Sequence, residues 1–89
     1  MVEKKITIKN KLGMHARAAV KFVNMANRFS SSVKIEKDGD EIDGKSILGI
    51  LTLAAVQGSS IILKVSGKDE NRALKALVDL INNKFQEKE

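Results

Sequence analysis

The hydrophobic positions change their period along the chain, and each change marks an element. From Val2 to Lys9 they alternate, with Val2, Ile6 and Ile8 on one parity and Thr7 and Lys9 on the other. A period of two with one apolar side predicts a half-buried strand over residues 2–9. Asn10-Lys11-Leu12-Gly13 reads as a turn. From about Ala16 to Arg28 the spacing becomes helical. Ala19, Phe22, Val23, Ala26 and Phe29 fall on one face, while Arg17, Val20, Lys21, Asn24 and Asn27 share much of the opposite side. Ser30-Ser31-Ser32 is a short polar connection, and Val33 and Ile35 open a second strand. Asp38-Gly39 is a two-residue hairpin signal, because the favoured turn needs positive φ at both central positions. Closing the hairpin there sets Lys37 opposite Asp40 and Ile35 opposite Ile42, so charge and apolar matching agree on one register.

The second half of the chain repeats this logic. Ser46 precedes the apolar run Ile47-Leu48-Gly49-Ile50-Leu51-Thr52-Leu53-Ala54 and is expected to cap a short helix. Ile50, Leu53 and Ala54 can share a core face. Leu48 and Leu51 then point elsewhere and Ile47 lies near the boundary, which predicts an exposed apolar patch of the kind that serves docking. After the turn at Gln57-Gly58-Ser59, Ile61, Leu63 and Val65 alternate in a fourth strand. Gly67-Lys68-Asp69 leads into a last helix, with Asp69 as its expected cap and Ala73, Leu74, Leu77, Val78, Ile81 and Phe85 as its apolar stripe. The order βαββαβα predicts an α+β open-faced sandwich: a four-stranded antiparallel sheet with three helices on one face.

Length and composition narrow the class. Eighty-nine residues fit one domain, 1–89, built on one core. There is no cysteine and only one histidine, so neither a disulfide framework nor a zinc site is expected, and no metal or cofactor is expected. No apolar run approaches the roughly 20 residues of a membrane span. The first residues lead directly into the strand pattern rather than a signal peptide, so a cytoplasmic protein without membrane insertion is expected. The net charge of +5 favours acidic partners. Nucleic acid is not expected among them, because Tyr and Trp are absent and the lysines are scattered.

The single histidine is the centre of the candidate chemistry. His15 falls between the first strand and the first helix, in Gly13-Met14-His15-Ala16-Arg17-Ala18-Ala19. The first amides of a helix have no internal partners, and the helix dipole adds positive charge there, so an anion such as phosphate is stabilised. The backbone of Ala16 and Ala18 would supply such donors, and the guanidinium fork of Arg17 suits phosphate oxygens. The same positive charges disfavour an imidazolium and keep a nitrogen lone pair available. A nucleophilic imidazole beside these groups suggests a histidine that carries a phosphoryl group. The plainer reading is a helix N-cap or a solvent-exposed turn histidine, and the alternative from another class is a small anion- or nucleic-acid-binding module with His15 incidental.

Lys11-Leu12-Gly13-Met14-His15-Ala16-Arg17-Ala18-Ala19 resembles the active-site signature of the HPr family, the phosphocarriers of the bacterial phosphoenolpyruvate:sugar phosphotransferase system. Asp43-Gly44-Lys45-Ser46-Ile47-Leu48-Gly49-Ile50-Leu51 resembles the same family's regulatory serine segment. The resemblance covers essentially the whole chain and implies the HPr-like fold. It implies that His15 accepts a phosphoryl group from enzyme I and passes it to sugar-specific enzyme IIA domains, with Arg17 at the phosphate. It further implies phosphorylation of Ser46 by an HPr kinase/phosphorylase and recognition by a catabolite-control regulator. The chain would then be a carrier rather than an enzyme, and a monomer suits that task. Val20, Asn24, Asn27, Lys45, Ile47, Leu48 and Leu51 are the expected docking residues, with Lys21 and Arg28 completing a basic rim. A nitrogen-branch or regulatory paralogue is the alternative within the family. The family usually has proline where this chain has Ala18. Alanine keeps helix propensity and restores one donor, so the expected consequence falls on the rate of transfer.

Overall fold

A computed structural model describes residues 1–87. Four strands, β1 (Val2–Thr7), β2 (Ser32–Lys37), β3 (Asp40–Asp43) and β4 (Ser60–Ser66), form one antiparallel sheet in the order β1-β4-β2-β3. Helices α1 (Ala16–Ala26), α2 (Ile47–Leu53) and α3 (Glu70–Asn82) cover one face, and a 3₁₀ turn (Lys84–Gln86) follows α3. The alternation of the strands explains the layering. Ile6, Val33, Ile35, Ile61, Leu63 and Val65 are buried under the helices, and the register pairs Ile6 with Ile61, Val33 with Val65 and Ile35 with Leu63. Phe22 of α1, Ile50 of α2, Leu77 and Ile81 of α3 and Phe85 complete the same cluster. Each such side chain contributes about 1.5–3 kcal/mol on full burial. On the open face Lys34 stands opposite Lys64, a repulsive pairing. It is offset by Glu36 and Glu41, whose carboxylates lie 2.6 and 3.0 Å from the Lys64 ammonium and raise its pKa.

The expected hairpin register is the observed one, with positive φ at both Asp38 and Gly39. Lys37, however, reaches its neighbour Asp38 at 3.1 Å. The other departures lie at element ends, and β1 stops at Thr7, two residues short of the expected 2–9, although Ile8 is still buried. Helix α1 stops at Ala26, two residues early. Ala54 is not part of the α2 core face: it takes a left-handed C-cap conformation and is exposed, and Ala55 is buried in its place. Helix α3 ends at Asn82 and buries Leu80, which lies outside the expected stripe. Phe85 is buried as expected, but from the separate turn.

Asp69 sits at the start of α3 without capping it through its side chain. Its carboxylate instead accepts from the backbone amides of Ser30 (2.9 Å) and Ser31 (3.0 Å) and from the Ser31 hydroxyl. It thereby clamps the α1–β2 connection to the head of α3. The Ser31 hydroxyl, then the Ser30 amide, hold the Asp69 carboxyl down to about 2.

A second connection positions the first helix. Asn10 and Gly13 close a turn through Gly13 N–H to Asn10 O (3.2 Å), and the buried Asn10 side chain donates to Gly13 O at 2.8 Å. Gly13 has φ +66°, and a Cβ there would lie 2.4 Å from the Ala55 carbonyl oxygen. That carbonyl accepts from Met14 N–H at 2.8 Å, and the Met14 side chain is buried. The backbone is therefore fixed on both sides of Gly13, two residues before His15.

Two outcomes follow from these clamps. Gly13→Ala should destabilise the fold by at least about 1–2 kcal/mol, the left-handed penalty alone, read in urea unfolding; an unchanged midpoint would contradict the tight approach. The depressed Asp69 pKa means a stabilisation fully present above the unfolded value near 4 and lost as pH falls through about 2. The Tm difference between native protein and Asp69→Asn should accordingly be largest near neutrality and shrink between pH 4 and pH 2. A difference constant over that range would show that the Asp69 charge is not involved.

Candidate functional site

His15 is the N-cap of α1, with extended backbone (φ −77°, ψ 179°). Its carbonyl accepts the first intrahelical bond, from Ala19 N–H at 2.8 Å. The amides of Ala16, Arg17 and Ala18 precede that bond and are the donors a helix leaves without partners of its own. They gather, with the positive end of the α1 dipole, directly after the histidine. Ala18 is buried, so its side chain belongs to the core even though its amide lies in the first turn. Arg17 is exposed and makes no hydrogen bond or ion pair among the described residues. Its guanidinium is available to an incoming anion.

The His15 ring is more constrained than an exposed turn histidine. Its side chain is 24% exposed, and Nε2 lies 2.7 Å from Glu87 Oε2. The Glu87 side chain is only 6% exposed. Its other oxygen, Oε1, accepts from Asn10 Nδ2 at 2.7 Å. Lys84, Phe85 and Gln86 carry the chain to this point with φ of 56°, 55° and 62°. Burial of Phe85 and a bond from Lys21 Nζ to its carbonyl oxygen (2.7 Å) anchor the turn. The sequence reading missed both Asn10 and Glu87 as members of this site. Asn10 carries only a turn signal, and Glu87 lies 72 residues from His15. Phe85, read from the periodicity as the last member of the α3 stripe, gave no sign of the turn that brings Glu87 here.

The expected docking residues divide into two groups. Val20, Asn24, Asn27, Ile47, Leu48 and Leu51 are exposed, Leu48 by 73%, and α1 packs against α2. Leu12 and Val56 are exposed apolar residues that the periodicity did not single out. Lys45 and Lys21 are half-buried and each ties its ammonium to a backbone carbonyl, Lys45 Nζ donating to Phe29 O (2.9 Å) and Lys21 to Phe85 O, while keeping its charge. Arg28 is exposed. Ser46 caps α2 as expected, its hydroxyl oxygen accepting from Gly49 N–H at 3.0 Å. A groove of about 230 Å³ between α1 and α3, lined by Met25, Asp79, Leu80 and Gln86 among others, does not include His15 in its lining and gathers no nucleophile. No helix among the described residues is long and apolar enough to cross a membrane.

Comparison with known proteins agrees with this geometry. The family model for the phosphorylation site of the PTS HPr component matches residues 2–83. The chain is 46% identical to the phosphocarrier protein HPr of Cupriavidus necator over 89 residues, the full length of both chains. It is 48% identical to the HPr-like protein Crh of Halalkalibacterium halodurans, over 91% of this chain and 96% of that one. The crystal structure of HPr-C-His from Thermoanaerobacter tengcongensis superimposes with a TM-score of 0.96 at 49% identity, covering both chains completely. With the fold, the histidine at the head of α1 and full-length likeness in agreement, the chain belongs to the HPr phosphocarrier family of the phosphotransferase system.

Proposed function

We propose that His15 accepts a phosphoryl group from phospho-enzyme I and passes it to sugar-specific enzyme IIA domains. The observation that carries the reading is the place of His15 as N-cap of α1, with the Ala16–Ala18 amides and an unengaged Arg17 following it. A lone pair on the ring forms the N–P bond while the bond from phosphorus to the donor's leaving atom breaks with its electron pair. The amides, the helix dipole and Arg17 meet the charge on the phosphoryl oxygens. One arginine at an open site holds the group without trapping it, as a carrier requires. Val20, Ile47, Leu48 and Leu51 offer an apolar docking centre flanked by Asn24, Asn27 and Arg28, suited to several transient partners in turn. A cytoplasmic, monomeric, single-domain carrier that leaves turnover to its partners is consistent with this task.

Ser46 supports a second, regulatory layer. Its hydroxyl caps α2, and a phosphate there could keep the cap while setting two negative charges beside Ile47 and Leu48. The resemblance of the segment around Ser46 to the family's regulatory serine segment favours modification by an HPr kinase/phosphorylase and recognition by a catabolite-control regulator.

Labelled phosphoenolpyruvate with enzyme I tests the carrier reading. The native protein should take up acid-labile label, His15→Ala none, and Arg17→Ala should slow uptake roughly 10- to 100-fold. Label that persists in His15→Ala would refute the assignment. For Ser46→Asp the expectation is roughly fivefold weaker binding to enzyme I, on the scale of an exposed charge pair; equal affinity by titration would remove the regulatory role proposed for this serine.

A further inference from the structure

We infer that Glu87 is a positioning residue for His15, holding the imidazole in the tautomer that carries its proton on Nε2 and leaving Nδ1 as the nucleophilic nitrogen. The inference rests on the phosphocarrier reading for its consequence, but the contact itself is independent of it.

Three features converge on this contact. Glu87 Oε2 lies 2.7 Å from His15 Nε2, a distance at which one partner must donate. An ionised carboxylate has only acceptor sites, so the proton sits on Nε2. Next, the orientation of Asn10 fixes the polarity of the network. Its Nδ2 spends both hydrogens, one on Gly13 O at 2.8 Å and one on Glu87 Oε1 at 2.7 Å. The price is a buried Oδ1 with no hydrogen-bond partner. Turning the amide over would set that oxygen against two acceptors, the Gly13 carbonyl and the carboxylate. Asn10 is therefore held as a donor and demands an acceptor from Glu87. Finally, the backbone that delivers Glu87 is costly. Lys84, Phe85 and Gln86 are consecutive non-glycine residues in the left-handed region, at about 1–2 kcal/mol each. Burial of Phe85 and the Lys21 contact hold them there, and the result of the turn is a nearly buried carboxylate on the one histidine.

The consequence for transfer is direct. As the Nδ1 lone pair bonds to phosphorus and the donor's bond breaks, the ring gains positive charge and the Nε2 proton stays in place. The Glu87 carboxylate faces that charge through the hydrogen bond, as the buried carboxylate of a catalytic triad faces its imidazolium. Glu87 touches neither phosphorus nor Nδ1 and works through the ring it orients.

This network predicts an unusual order of variants. In Glu87→Ala the ring loses its partner, both tautomers are populated, and phosphoryl uptake falls on the order of tenfold. Glu87→Gln should be worse, although it is closer in shape. Asn10 still donates to the Gln oxygen, which turns the Gln amide NH₂ toward Nε2. That forces the proton onto Nδ1 and blocks the nucleophile, with uptake reduced by at least about 100-fold. Nitrogen-15 NMR of the ring in the unphosphorylated proteins reads the tautomer without any transfer. The proposal expects Nε2–H in the native protein, a mixture in Glu87→Ala and Nδ1–H in Glu87→Gln, with unchanged backbone amide spectra. It is overturned if the tautomer is the same in all three, if Glu87→Gln transfers as fast as Glu87→Ala, or if either variant outpaces the native protein, which would make the contact an inhibitory clamp. Native protein that takes up no phosphoryl group would defeat the carrier reading, while the tautomer series would still decide the role of Glu87.

Discussion

The site depends on a steric constraint at a single residue. Gly13 backs onto the Ala55 carbonyl at a distance that leaves no room for a Cβ, and Met14 hydrogen-bonds that carbonyl while burying its side chain. The chain must therefore leave the core at His15, in extended conformation, and start α1 with its next residue. The position of the histidine at the positive end of the helix follows from packing behind it. Ala55 is available there only because Ala54 turns the chain out of α2 through a left-handed C-cap. The segment after α2 thus supports the turn that presents the histidine.

Electrostatically the site has two sides. Toward the first turn of α1 lie donors and positive charge: three amides without partners of their own, the helix dipole and an unengaged arginine. Toward the segment after α3 lies a carboxylate, nearly buried, on Nε2 of the same ring. A phosphoryl group is favoured on the first side and repelled from the second. The two nitrogens of His15 are made unequal by their surroundings, and an exposed turn histidine would lack that inequality.

The fold was legible where information is local or periodic. Strand alternation gave the buried parity of β1, β2 and β4, and Asp38-Gly39 with its matched flanks gave the hairpin register residue for residue. The Ser46 cap was legible because its partner, Gly49 N–H, lies three residues on. Asp69 is the N-cap of α3 by position, but the work of its carboxylate was not legible for the converse reason: its partners Ser30 and Ser31 lie nearly forty residues away, and no local pattern separates a cap from a clamp. The same limit hid Glu87. His15 and Arg17 stood out in the sequence because they lie two residues apart at the head of α1. The carboxylate that completes the site arrives from the far end of the chain, through a left-handed turn that no propensity predicts.

With Glu87 on Nε2, phosphorus is expected on the other ring nitrogen of His15. The direct measurement is the one-bond phosphorus–nitrogen coupling in protein with ¹⁵N-labelled histidine, phosphorylated through enzyme I. A single coupling, to Nδ1 of His15, is expected. Coupling to Nε2, or phosphorus that couples to no histidine nitrogen, would contradict it.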